Sequence, residues 1–285
     1  MTDASNTSHD AGTPLAGRSV VVTRMREQVS SLAEPLEALG AEVLAMPVLA
    51  VVDPPDTSAV DTAIIDLLSY DWVVLTSTNA VDRFFARLVF VDRTAEALSG
   101  VKIAAVGLAT AKRLREKGVE PNLVPDDARA EGLVAAFGEL GVGEGYRMLV
   151  PRALKARELL PDALRAMGAE VDVVPVYQTV PVDPDPAVLE RLREGTVDCV
   201  TFTSGAIARA FVSAVREAGL DPQTVMSGVA VASIGPVTTH ELAALGFEDH
   251  IEAPKATMSS LAQAIAEHFT TERPWRRPNA FRSGS

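Results

Sequence analysis

The sequence predicts an α/β protein of two domains, each a parallel sheet flanked by helices, joined by a two-stranded antiparallel connector. Three observations lead there. At 285 residues the chain reaches the size at which a single core stops growing, and it suits two domains. Short apolar runs alternate with stretches of helical spacing, the mark of strand–helix–strand units. The middle of the chain also repeats once, with a period of about 128 residues.

The strands are the clearest elements. Ser19-Val20-Val21-Val22, Trp72-Val73-Val74-Leu75, Ile103-Ala104-Ala105-Val106 and Val229-Ala230-Val231-Ala232 are continuous short runs, mostly apolar. Runs of this kind suit parallel strands covered on both faces. Helices lie between them. Val29, Leu32, Leu36 and Leu39 make one stripe at spacings of three and four; Leu133, Ala136, Phe137 and Leu140 make another. Pro35 and Pro161 fall inside helical stretches, which predicts a kink or a late start at each.

The repeat shows in three blocks. The stretch from Gly17 matches that from Gly145: strand, basic loop, amphipathic helix, then Gly-Ala-Glu-Val at 40–43 and 168–171. In the second block Thr76-Ser77 falls over Thr203-Ser204. In the third, Gly107 falls over Gly235, Thr110 over Thr238 and Gly118 over Gly246.

Two segments, 46–52 and 174–180, break the rhythm and hold equivalent places in the two repeats. Each carries a proline near its start, and proline is tolerated at a strand start or edge. Pairing them gives a connector that the chain crosses twice. The expected organisation is a disordered tail at 1–14 and a discontinuous domain of 15–45 with 182–269. Connector strands follow at 46–53 and 174–181, an inserted domain at 54–173, and a second tail at 270–285.

Composition excludes several classes. A net charge of -12 disfavours a general nucleic-acid binder or an anionic-membrane binder. No apolar run approaches the roughly 18 to 20 residues that span a bilayer. The polar, acidic start has no signal-peptide pattern, and the single cysteine, Cys199, suits a cytoplasmic setting. Cys199 lies in an apolar strand and reads as an inert core thiol. His9, His240, His250 and His268 lack metal-ligand spacing, so neither a metal nor a cofactor is expected. The glycines of 141–145 follow a helix and precede a strand, the reverse of a dinucleotide loop, and read as a linker.

Open parallel sheets bind ligands beyond the carboxyl ends of their strands, at helix N-termini. Six such loops are legible: 23–26, 76–79, 107–110, 151–155, 203–205 and 235–239. They are rich in Thr, Ser, Gly and Arg, which hydrogen-bond anions and leave backbone N–H groups approachable. For a single Ser or Thr, helix capping is the competing explanation. Arg24 and Arg152 stand out by loop position and charge. Tyr177, one of three tyrosines, lies in the second connector segment. These residues describe a cofactor-free, two-domain anion-binding clamp.

The pieces VVVTR (20–24), GAEVLAMPVL (40–49), VVLTSTNAV (73–81), IAAVGLATA (103–111), VPVYQTV (174–180), FTSGAIARAF (202–211) and ASIGPVTTHEL (232–242) together resemble one family, the uroporphyrinogen-III synthases. The resemblance covers about residues 15 to 269. It implies two α/β domains with the active site in the cleft between them. It implies cyclisation of hydroxymethylbilane, a linear tetrapyrrole of eight carboxylates, with inversion of ring D and loss of water. The path implied runs through an azafulvenium cation and a spiro intermediate, without cofactor. It implies handover from hydroxymethylbilane synthase, and a monomer. Tyr177 matches the connector tyrosine that assists departure of the hydroxyl. Thr76, Ser77, Gly107, Thr110, Ser204, Gly205, Gly235 and Thr238 match substrate-binding cleft positions. Two alternatives are a non-catalytic, ligand-sensing relative within a regulator and a two-lobed solute-binding protein. The first is expected to carry a DNA-binding region and the second an export signal.

Overall fold

Runs of Val, Leu and Ala become short strands buried on both faces, and the stretches between them become helices. A computed structural model describes residues 13–248 and 250–271. Most of each expected tail lies outside the described residues. In chain order the elements are β1 (Ser19–Val22), α1 (Ser30–Ala38), β2 (Glu42–Ala45), β3 (Leu49–Val52), α2 (Ser58–Ile65), β4 (Trp72–Leu75) and α3 (Thr78–Phe90). Next come β5 (Lys102–Ala105), α4 (Leu108–Glu116), α5 (Ala130–Glu139), β6 (Arg147–Ala153), α6 (Leu159–Ala166) and β7 (Glu170–Pro181). The rest are α7 (Pro186–Arg193), β8 (Cys199–Phe202), α8 (Gly205–Glu217), α9 (Pro222–Val225), β9 (Ala230–Ser233), α10 (Pro236–Ala244), β10 (His250–Glu252) and α11 (Met258–Thr271). The last helix thus runs two residues beyond the expected end at 269.

The chain forms two units. One runs to Ala50 and resumes at Pro181; the other is Val51–Val180. The first unit holds a sheet of order β10-β9-β8-β1-β2, parallel throughout. Phe202, Phe211 and Val215 fill one side of it. Leu32, Leu36, Leu261 and Ile265 fill the other. The second sheet has the order β3-β7-β6-β4-β5, and β7, β6, β4 and β5 pair in parallel. Phe84, Leu88 and Leu114 pack on one side. On the other side Phe137 meets Trp72 edge-on, with ring centroids 5.1 Å apart.

The prolines resolve differently from one another. Pro161 is the third residue of α6, in a first turn whose N–H groups lack intrahelical partners anyway. Pro35 lies well inside α1, which a 3-10 turn at Arg26–Gln28 precedes. Pro175 departs from expectation. It stands inside the 12-residue β7 rather than at a strand start, and β7 lies between β3 and β6 in the sheet. The reason is a bulge: Arg152 pairs with Pro175 but Ala153 pairs with Tyr177, so the register shifts there. A bulge is a place where an interior strand tolerates a residue without an N–H.

Residue 198 ties the discontinuous first unit together. The Asp198 side chain is buried. It accepts hydrogen bonds from the Ser19 N–H at 2.9 Å and the Ser19 hydroxyl at 3.1 Å, and pairs with Arg18 at 3.1 Å. The Arg18 guanidinium also lies 4.7 Å from the Phe269 ring centroid. One carboxylate and one guanidinium thus hold three segments that are remote in sequence. Asp198→Ala leaves a partly buried cation and the buried Ser19 N–H without their acceptor, while the Ser19 hydroxyl keeps the Thr196 carbonyl, so it should cost about 3 kcal/mol. Urea unfolding followed by circular dichroism checks this, and a loss below about 1 kcal/mol would show the contact to be dispensable. Burial pushes the Cys199 thiol far above its ordinary range. It should therefore resist a disulfide reagent at pH 8 and react with one equivalent only after unfolding in guanidinium.

Candidate functional site

In the second unit β4 ends at Leu75 and delivers Thr76 and Ser77 to the sheet's carboxyl end. Ser77 caps α3: its hydroxyl accepts the Ala80 N–H at 3.0 Å. The same oxygen lies 3.3 Å from the Tyr177 hydroxyl, within hydrogen-bonding distance. Tyr177 arrives just past the bulge in β7, and its carbonyl accepts the Leu154 N–H at 2.7 Å. Its ring packs on the apolar core while its hydroxyl reaches the polar end. The structure therefore joins two residues that the sequence offered separately.

Thr76 and Arg152 meet at a second place. They line one cavity of about 540 Å³ with Val106, Val150, Arg129 and Arg157. Arg152 is buried. It donates to the Arg157 carbonyl at 2.8 Å and pairs with the Glu158 carboxylate. Gly107 caps α4 in an extended conformation. Its missing side chain makes room, because a Cβ there would lie 2.7 Å from that of Ala128. At Gly132 a Cβ would overlap the Asp127 carbonyl oxygen. Two glycines thus seat the 127–129 loop along the cavity. Thr110 is buried in the first turns of α4.

In the first unit Ser204 caps α8, its hydroxyl accepting the Ile207 N–H at 3.3 Å. A Cβ on Gly205 would lie 2.9 Å from Glu241 Cγ, so this glycine lets α8 and α10 approach. Gly235 adopts φ 158° and ψ 179° before α10, a conformation open essentially to glycine alone. Thr238 is buried in the first turn of α10. Its neighbour Thr239, which sequence reasoning did not single out, shares a 2.6 Å hydrogen bond with Ser233 and donates to Glu252.

Arg24 has an unusual setting. Its guanidinium donates to Gln28 Oε1 at 3.0 Å and approaches Met258 Sδ at 2.8 Å. Among the described residues its buried Nε has no partner and no carboxylate pairs with the guanidinium. Burial accordingly pulls its pKa below the ordinary arginine range. A desolvated cation without a counter-ion costs free energy that an arriving carboxylate recovers. Arg129, Arg157 and Met258 also escaped sequence reasoning. They are single residues in loops or at a helix start, with no periodicity to mark them.

The family model described as uroporphyrinogen-III synthase HemD matches residues 30–263. The chain is 34% identical over 258 residues to a uroporphyrinogen-III synthase of Synechococcus elongatus, covering 89% of this chain and 96% of that one. It is 30% identical over 250 residues to a putative uroporphyrinogen-III synthase of Methanothermobacter thermautotrophicus, covering 87% and 97%. The fold is similar to that of the uroporphyrinogen-III synthetase of Helicobacter pylori, with a TM-score of 0.60 at 17% identity over 88% of this chain and 99% of that one. It is also similar to that of a mutant Thermus thermophilus enzyme, with a TM-score of 0.58 at 20% identity over 90% and 100%. With more than four-fifths of its length matched to the family model and near-complete coverage of such relatives, the chain belongs to the uroporphyrinogen-III synthase family.

Proposed function

We propose that this chain closes hydroxymethylbilane to uroporphyrinogen III, inverting ring D and releasing water. The observation that carries the reading is the Tyr177 hydroxyl held against Ser77 Oγ at the carboxyl end of β4. Loss of the substrate hydroxyl needs a hydrogen-bond donor on the departing oxygen, and Tyr177 supplies one in a fixed orientation. Ser77 sets that orientation by donating its hydroxyl hydrogen to the phenol oxygen, which leaves the phenol O–H for the substrate. The departing hydroxyl takes a proton from the phenol and leaves as water, the cation left behind is delocalised over the pyrrole nitrogen, and the proton lost from the attacked pyrrole carbon on closure restores the phenol. The remaining demand is geometric, because ring D must attack in the inverted sense before direct closure occurs. That is catalysis by orientation.

Eight carboxylates on the substrate provide the handles for orientation. Arg24, without a carboxylate partner among the described residues, is the anchor offered by the first unit. Thr76 and Arg152 are those offered by the second. Ser204, Gly235 and Thr238 place hydroxyls and helix N–H groups at the ends of β8 and β9, where anions are favoured. Gly107 and Gly205 act through shape, seating the Ala128 loop and Glu241.

We also infer that the repeat of about 128 residues is real. Reading outward from the centre, β6-β7 and β4-β5 of one sheet correspond to β1-β2 and β8-β9 of the other. The bridge from Ala104 to Leu123 stands where β10 pairs with β9. The two passages between units, β3 and the end of β7, serve as the connector. Gln178 donates to the Asp53 carbonyl at 3.2 Å, and the Val182 N–H donates to the Val48 carbonyl at 3.2 Å.

Hydroxymethylbilane generated in situ should give the type III uroporphyrin isomer after oxidation and separation; type I alone would overturn the assignment. Tyr177→Phe should lower kcat by about 10- to 100-fold with an unchanged circular-dichroism spectrum. Turnover equal to that of the parent would remove the role given to the phenol.

A further inference from the structure

We propose that the cavity beside Arg152 is a subsite for a single pyrrole ring bearing carboxylates, with Arg129 and Arg157 as its specificity-determining side chains. The inference rests on the synthase reading and goes further, since it fixes where one ring of the substrate is held. The volume, about 540 Å³, falls in the range of roughly 300–1,000 Å³ typical of small-molecule sites. A four-ring chain can place only part of itself there.

The lining matches a flat apolar ring with acidic arms. Val106, Val150, Leu159, Leu160 and Pro161 supply apolar surface. Three arginines and one glutamate, Glu131, line the cavity, and two of the arginines have carboxylate partners of their own just outside it. The arginines differ in how they are held. Asp127 grips Arg129 with both carboxylate oxygens at 2.7 Å. Glu158 holds Arg152. Arg157 is exposed and has no ion pair among the described residues, while its carbonyl is fixed by Arg152. Two cations are thus pre-positioned and a third is uncommitted, an arrangement suited to forked recognition of carboxylates.

The corresponding place in the other unit is filled. Met258 opens α11 as Ala130 opens α5, and the two lie 128 positions apart, as do Arg24 and Arg152. Met258 lays its sulfur against Arg24 at 2.8 Å. Ala130 is too short to do the same toward Arg152, and the cavity remains open beside it. The length of the side chain at this position thus differs between the place that a sulfur occupies and the one that stays open. The other unit also has Thr257 and Val29 where this one has Arg129 and Arg157.

The experiment titrates the full chain by calorimetry with a monopyrrole carrying one acetate and one propionate, and with its uncharged diester. One equivalent of the diacid should bind, and the diester at least about tenfold more weakly. Ala130→Met should abolish binding and raise KM for hydroxymethylbilane. Arg157→Gln, a surface change that leaves folding intact, should weaken the diacid about tenfold, as loss of a charge-assisted hydrogen bond would. Absence of diacid binding to the parent, equal binding of diacid and diester, or binding unchanged in both variants would each overturn the subsite. Failure of the synthase reading looks different: type I isomer alone from the parent chain, whatever the monopyrrole does.

Discussion

A parallel strand buried on both faces must pass its chain directly to a helix, and the residues at that handover answer two demands at once. They must satisfy the first N–H groups of the helix, and they stand where ligands bind in open α/β sheets. Ser77 and Ser204 show the first demand in their caps on α3 and α8. Gly107 and Gly205 show a third, since each gives up its side chain so that a neighbouring segment can approach. Capping and ligand binding are therefore not competing explanations of these loops. A capped helix end is a rigid one, and a rigid end is what orientation of a flexible tetrapyrrole requires.

Ser77 could cap α3 without meeting any tyrosine. The meeting depends on β7, where Pro175 removes one ladder donor and the bulge absorbs the loss. Side chains alternate along a strand, so a one-residue shift exchanges the faces they address. The shift brings Tyr177, rather than Val176, opposite Ala153 and leaves Val176 buried in the core. The proline that signals a break in the sequence thus has a local consequence at Tyr177.

This also explains how much was readable beforehand. Strand runs such as Trp72–Leu75 and the helix stripe at Leu133, Phe137 and Leu140 follow from periodicity, because burial on a regular element leaves a regular trace. Candidate residues at the strand ends follow from topology. The Ser77–Tyr177 contact does not, since it spans 100 positions and depends on an irregular register. Nor did Arg129 and Arg157 stand out, because an arginine in a loop looks the same in sequence whether it faces a cavity or water. The role of Met258 becomes visible only when its neighbour in space, Arg24, is known.

The acidic balance of the chain sharpens the electrostatic argument. With a net charge of -12, long-range repulsion works against a ligand of eight carboxylates, though salt screens it beyond about 8–10 Å. Recognition must then be won at contact range, where burial strengthens each charge. In the proposed reading Arg24 meets that need by its lack of a carboxylate partner among the described residues, so that an incoming anion that displaces the Met258 sulfur finds an uncompensated charge. Arg152 meets it in the opposite way, held in place by Glu158 so that its guanidinium plane is fixed before the ligand arrives. The first arrangement stores the desolvation cost in the free protein and recovers it on binding. The second spends ion-pair energy on preorganisation and so loses less entropy when the ligand is held. Two arginines at equivalent places in the repeat thus reach the same end by different routes, and the difference in ion pairing traces to one position, Glu158 in one half and Ser30 in the other.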